Sequence, residues 1–184
     1  YYGFVGGLVG LIGTAAHIYN CYTSGTTVEL QGNKTNTYVG GLIGSCNSAT
    51  SSNPNIIQNC YSTSVLSSTT SNNTNTNIGG LYGSIYPNWN VINNCYYRTD
   101  WKGINLTGTP TENSNFTTNS STIYSKAIAD MKLSSFVSST GGAGTTLNLT
   151  STVVSGAATY QTDFHLNDGY PIFTYQSQAV KPNS

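Results

Sequence analysis

The sequence predicts an all-β fold: a parallel β-solenoid, closed by a C-terminal capping region with one short helix. Three observations carry that expectation. A two-part motif recurs three times at near-constant spacing. The recurring pieces are short, apolar and β-branched, with Gly and Asn as punctuation. Charged residues make up 7% of the chain, against roughly 25% in an ordinary soluble domain.

The first part of the motif is Val5-Gly6-Gly7-Leu8-Val9-Gly10. It returns as Val39-Gly40-Gly41-Leu42-Ile43-Gly44 and as Ile78-Gly79-Gly80-Leu81-Tyr82-Gly83. The second part is Ile18-Tyr19-Asn20-Cys21-Tyr22, which returns as Ile57-Gln58-Asn59-Cys60-Tyr61 and Ile92-Asn93-Asn94-Cys95-Tyr96. The first part recurs after 34 and 39 residues, the second after 39 and 35. Length variation sits in the Ser/Thr/Asn-rich segments between motifs, such as residues 67–77, as expected of repeats with loop insertions. One repeat then makes one coil. Each Gly-Gly motif supplies one strand and each Ile-x-Asn-Cys-Tyr motif another. Residues 26–30 and 64–66 supply a third. Residues 1–100 read as three coils, and residues 101–184 as a loop and cap.

The motif residues acquire physical roles on this plan. Paired Gly permits a tight bend or close contact between coils. Asn tolerates left-handed geometry at a corner. In a flat strand Ile18 and Cys21 would face opposite sides; a corner at Asn20 lets both point inward. The expected core is Val5, Leu8, Ile12, Ile18, Cys21 and Val28 with their counterparts. Asn20, Asn59 and Asn94 are expected to stack as an amide ladder.

Cys21, Cys60 and Cys95 share one repeat position, and Cys46 aligns with Ile12 and Ile85. Burial as free thiols acting like small hydrophobes is the first reading. Disulfides between stacked coils and a metal site with His17 are the alternatives. No cofactor and no metal are expected.

In the tail, residues 127–132 are the only helix-like stretch. Residues 147–154 alternate as a strand does, and residues 103–125 read as a long loop. Solenoids need end caps, because an open coil leaves strand edges and core exposed. The C-terminal part is expected to provide one, whereas nothing comparable precedes the first repeat. The chain opens at Tyr1 inside that repeat, without an initiator Met or signal peptide. It reads as a segment of a longer protein.

Composition excludes several functions. Six Lys and Arg cannot build a nucleic-acid-binding face, and no run approaches ~18 apolar residues, so no membrane insertion is expected. None of the six acids recurs at a repeat position, which argues against carboxylate-based hydrolysis or repeat-borne calcium. Asp163, His165 and Asp168 are the one local group of catalytic residue types. Ser, Thr and Asn number 23, 27 and 22, so hydroxyls and amides replace charge. In a solenoid, a charge at a repeat position would meet a like charge about 4.8 Å away. Asn-x-Ser/Thr sites occur at Asn33, Asn72, Asn105, Asn115, Asn119 and Asn148.

The chain resembles the GLUG-motif repeats of bacterial secreted and cell-surface proteins, which include large adhesins. The likeness rests on Val-Gly-Gly-Leu-x-Gly followed by Ile-x-Asn-Cys-Tyr, over about residues 3–100. The closing Asn167-Asp168-Gly169-Tyr170-Pro171 extends it. The resemblance implies a right-handed parallel β-helix, secretion and a place at the cell surface, with no catalytic activity for the repeats.

Aromatic residues are the leading candidates for contact. Tyr22, Tyr61 and Tyr96 follow the core Cys and are expected to point outward and stack. Tyr86 and Trp89 lie between motifs on a loop. The functional expectation is a non-enzymatic segment of a secreted surface protein, an adhesin or structural stalk that meets a host or matrix glycan or protein. The alternatives are an accessory module of a secreted glycan- or protein-degrading enzyme, and a subunit self-associating head to tail into an extracellular filament.

Overall fold

The computed structural model describes residues 2–31, 37–46, 49–68, 76–85, 90–102, 111–112, 123–137, 147, 160–162 and 167–173. The described residues are mostly strand, with one short helix. The first repeat contributes β1 (Gly3–Gly6), β2 (Val9–Ile12), β3 (His17–Tyr19), β4 (Tyr22–Thr23) and β5 (Thr27–Leu30). The second contributes β6 (Thr37–Gly40), β7 (Ile43–Cys46), β8 (Asn55–Gln58), β9 (Tyr61–Ser62) and β10 (Val65–Ser68). The third contributes β11 (Thr76–Gly79), β12 (Tyr82–Ile85), β13 (Asn90–Asn93) and β14 (Cys95–Arg98).

Each strand pairs in parallel with its counterpart in the next repeat, giving five sheets. Register follows the motif: Val5 lies beside Val39 and Val39 beside Ile78, while Ile12 and Ile85 both flank Cys46. Ile18, Ile57 and Ile92 form another row.

Two expectations are corrected. Each motif was expected to be one strand, but both motifs straddle corners, so the first two repeats have five short strands each instead of three. The Gly pair ends one strand and opens the bend before the next. A Cβ on Gly40 would run into the Ile43 carbonyl, and one on Gly41 into the Gly80 carbonyl, so backbone contact between segments demands glycine there. The stretch 103–125, expected as a loop, contains β15 (Thr111–Glu112) on β11 and the start of β16 (Ile123–Lys126) on β14. Lys102 bridges to Leu66 in the fifth sheet. Parallel stacking therefore continues past the third repeat.

Two apolar columns run across the repeats. One holds Leu42, Ile43, Cys46, Ile57, Cys60, Leu81, Tyr82, Ile92 and Cys95. The other holds Val28, Leu30, Val39, Leu66, Ile78 and Trp101. Of the expected core, Ile12 and Val28 are buried, while Val5, Ile18 and Cys21 are half-buried. Leu8 is corrected: it is 43% exposed, although its counterparts Leu42 and Leu81 are 0% and 1% exposed. Its own sequence is equivalent, but β1 to β5 are each the outermost strand of their sheet.

Small polar residues are also buried. Thr23 Oγ1 donates to the Gly41 carbonyl (2.9 Å) and lies 3.0 Å from Ser62 Oγ, and Ser64 Oγ donates back to Thr23 (3.2 Å). Hydroxyls thus satisfy one another between the first and second repeats, without a charge. The tail adds α1 (Ile128–Met131), a 3-10 turn at Ser134–Val137, and an antiparallel pair of β17 (Tyr160–Thr162) with β18 (Pro171–Phe173). The expected helix is thus present as a single turn. Of the expected strand 147–154, only Leu147 lies within the described residues; it is buried and its N–H donates to the Phe136 carbonyl (2.6 Å).

Candidate functional site

The Asn-Cys-Tyr corner places three chemistries on three sides. Asn20, Asn59 and Asn94 have φ of 53°, 54° and 50°, the left-handed corner that Asn tolerates. Asn94 Nδ2 donates to Asn59 Oδ1 at 2.9 Å. At the next step down, Asn20 Oδ1 is buried with no hydrogen-bond partner among the described residues. A second amide column runs beside it: Asn55 Nδ2 donates to Asn90 Oδ1 (2.9 Å), and the Ala16 N–H donates to Asn55 Oδ1 (2.9 Å). Sequence reasoning missed that column, although Asn-x-Ile-x-Asn-Cys stands in both the second and third repeats.

After the corner, the Cys side chains turn into the core. Cys46, Cys60 and Cys95 are buried, Cys21 is half-buried, and all four are free thiols. Burial pushes the Cys46 thiol up to about 12 and raises Cys60 well above its ordinary value. The neighbouring Cys60 thiol, then burial, raises Cys21. Such thiols stay protonated at neutral pH and make poor nucleophiles. His17 is exposed on β3, edge-on to Tyr19 at 5.8 Å.

The Tyr column corrects the expected contact surface. Tyr22 and Tyr61 do stack, with centroids 5.0 Å apart and planes 1° apart. They leave the main core, as alternation requires, yet they do not face solvent: Tyr61 and Tyr96 are 0% exposed and Tyr22 is half-buried. The C-terminal segment covers them. Met131, Phe136, Leu147 and Tyr170 pack on this face, with Phe136 edge-on to Tyr96 at 4.9 Å. Tyr61 OH donates to the Pro171 carbonyl and accepts from Asn167 Nδ2 (3.2 Å). Burial raises the Tyr61 phenol well above its usual range. The column is a third buried cluster.

The other candidates from sequence are placed as follows. Tyr86 and Trp89 lie outside the described residues, as do Asp163, His165 and the six Asn-x-Ser/Thr asparagines. Asp168 is at the surface, paired with Lys132 at 2.8 Å. Among the described residues no three His, Cys, Asp or Glu lie together as a metal site would need, and no helix is long and apolar enough to cross a membrane.

A further row of aromatics stands at the first sheet, with Tyr2 exposed and Phe4 and Tyr38 half-buried. Tyr2 is 68% exposed and stacks on Phe4 with centroids 6.3 Å apart. Phe4 stacks on Tyr38 of the next repeat at 5.6 Å, and both ring pairs are within 10° of parallel. Phe4 and Tyr38 are register partners whose neighbours Val5 and Val39 pack in the core, so the rings take the opposite face. Asn77 continues the row on β11. The strands β1, β6 and β11 carry no charged side chain. Rings beside an amide on an uncharged face can offer dispersion and hydrogen bonding to a neutral polar ligand. The signal was visible, since Phe4 and Tyr38 each precede a Val-Gly-Gly motif.

Fold and site together define an all-β repeat protein with parallel, in-register sheets and a tail packed on one face. Beyond that class the comparisons are silent: no protein-family model, no curated protein and no solved structure matches the chain.

Proposed function

We propose that the chain is a segment of a right-handed parallel β-helix of the GLUG-motif kind. In this reading it belongs to a bacterial protein secreted to the cell surface, and acts without catalysis as an adhesin or structural stalk. The observation that supports the reading best is the register. Motif residues of successive repeats are direct neighbours in four of the five parallel sheets, a pattern that suits a unit extended by repetition. Among the described residues, Cys46 and Cys60 are buried and keep their protons at neutral pH, and Asp168 pairs with Lys132 at the surface.

On this reading the row Tyr2, Phe4, Tyr38 is the contact surface, and its partner is a neutral host or matrix glycan or an uncharged protein patch. The test is a glycan array and matrix-protein panel run on the wild-type chain and on Tyr2→Ala with Tyr38→Ala. Binding that drops more than about tenfold in the double variant supports the assignment. Binding unchanged by it moves the contact elsewhere. Turnover of a polysaccharide or peptide by the chain overturns the non-enzymatic reading.

A further inference from the structure

The tail crosses the tyrosine face against the direction of the repeats. β16 pairs with β14 of the third repeat, and the chain after it runs through α1 to Phe136, edge-on to Tyr96. Residues 167–173 lie over the earlier repeats. Asn167 and Pro171 meet Tyr61 of the second, and Phe173 meets Tyr22 of the first with ring centroids 5.6 Å apart. Lys132 joins the two pieces of tail, its Nζ 2.8 Å from Asp168 Oδ2 and 4.7 Å from the Tyr170 ring centroid. β17 and β18 pair antiparallel, so this segment is not a further coil of the parallel stack.

Asn167 is the hub of the contact. Asn167 and Asp168 both take left-handed backbone, with φ of 50° and 52°, and the Tyr170 N–H closes the turn on the Asn167 carbonyl at 3.0 Å. The Asn167 Nδ2 donates to Tyr61 OH and to the Pro171 carbonyl, both at 3.2 Å. Its Oδ1 accepts from Ser24 Oγ of the first repeat, and Tyr61 OH donates to the Pro171 carbonyl. One side chain thus ties the first repeat, the second and the tail. The tie needs a donor and an acceptor on one planar group, which an amide has and a carboxylate lacks.

We propose that residues 167–173 are a strap that fastens the first repeat to the second at the tyrosine face, with Asn167 as its latch, and that the strap opens as a unit of its own. Opening breaks the three hydrogen bonds that Asn167 and Pro171 make to Ser24 and Tyr61. It also loosens the repeat-to-repeat bonds beneath, in which the Tyr61 N–H donates to the Cys21 carbonyl (3.1 Å) and the Thr63 N–H to the Thr23 carbonyl (2.9 Å). Leu42 and Ile43, whose N–H groups both donate to the Leu81 carbonyl at 3.0 Å, belong to the main apolar column and stay closed. Units of this kind open locally while the rest of a fold holds.

The experiment is native-state hydrogen exchange, read by NMR, on the full chain and on Asn167→Gly. Gly keeps the left-handed backbone and removes the amide. The Tyr61 and Thr63 amides should exchange more than about tenfold faster in the variant, and those of Leu42 and Ile43 should stay within about twofold. Should Asn167→Gly fail to fold, Ser24→Ala decides, since it keeps every strap residue and removes only the tie to the first repeat. The Tyr61 and Thr63 amides must then exchange at least about threefold faster. Unchanged rates at Tyr61 and Thr63 overturn the proposal. So does an equal acceleration at all four amides, which would make Asn167 a support of the whole fold and not the latch of a separate strap.

Discussion

The first and third repeats carry the same motif in the same register and yet live in different environments. Leu81, Cys95 and Tyr96 are buried; Leu8, Cys21 and Tyr22 are not. No difference in side-chain chemistry explains this, since Leu, Cys and Tyr are identical at these positions. The difference is the neighbour. The third repeat lies against the second and has β15 beside β11 and β16 beside β14, with Trp101 in the core, whereas no described strand lies beyond β1 to β5. In a stacked repeat, burial belongs to the interface between units and not to the unit's own sequence.

Truncation should expose that contrast most strongly. Leu42→Ala removes a side chain with no exposure and should cost about 2–5 kcal/mol, while Leu8→Ala, half outside, should cost under about 1 kcal/mol. Denaturant unfolding of both variants measures the gap; equal losses would mean that the first repeat is packed as tightly as the second.

The thiols offer the next largest effect. Cys46 rises from an ordinary 9.0 to about 12 through burial, so the folded chain holds a proton that the unfolded chain releases above pH 9. Stability from this group is present below pH 9 and lost as pH climbs toward 12, at about 1.4 kcal/mol per pH unit once the unfolded thiol is ionised. Cys46→Val should remove that share of the alkaline slope. Alkylation at pH 8 should reach half-buried Cys21 first, leaving Cys46, Cys60 and Cys95 unmodified until the chain is denatured.

A smaller difference is expected along the amide ladder. Asn59→Ala and Asn20→Ala both force Ala into left-handed geometry, costing roughly 1–2 kcal/mol each. Asn59 also accepts from Asn94, so its loss should exceed that of Asn20 by about 1 kcal/mol. Gly at both positions relieves the backbone term and isolates the amide term. If the two Gly variants are equally stable, the ladder contributes nothing measurable.

Much of this architecture was legible because repetition supplies its own alignment. Three copies of Asn-Cys-Tyr were enough to assign the corner, and the match of Cys46 with Ile12 and Ile85 assigned a core row that register reproduces. The strand count was not legible, because Val-Gly-Gly-Leu reads as a strand when the collision of a Cβ with the next segment is unseen. Tyr61 and Tyr96 were given the correct side of the strand and the wrong surroundings. Alternation tells which face a ring takes, but what covers it comes from Met131, Phe136 and Tyr170, far along the chain. Phe4 and Tyr38 carry their signal in the residue before Val-Gly-Gly and not in the one after Cys.

The smallest effect should come from the ion pair of the third repeat, which has no counterpart in the first. Arg98 holds Asp100 through Nε and Nη2 at 2.8 and 2.7 Å, and its Nη1 reaches the Thr63 carbonyl (3.2 Å), tying the third repeat to the second. The guanidinium keeps the Asp100 carboxyl below its ordinary range, so this contribution is present above about pH 4 and lost as pH falls below it. Asp100 is more than half exposed, and water screens the pair; Asp100→Asn should cost under about 1 kcal/mol. With only six carboxylates in the chain, the acid limb of the stability curve should be shallow and the alkaline limb, set by buried thiols and phenols, steep. A steep acid limb in chemical denaturation between pH 5 and 2 would mean that carboxylates carry more of the fold than this surface pair does.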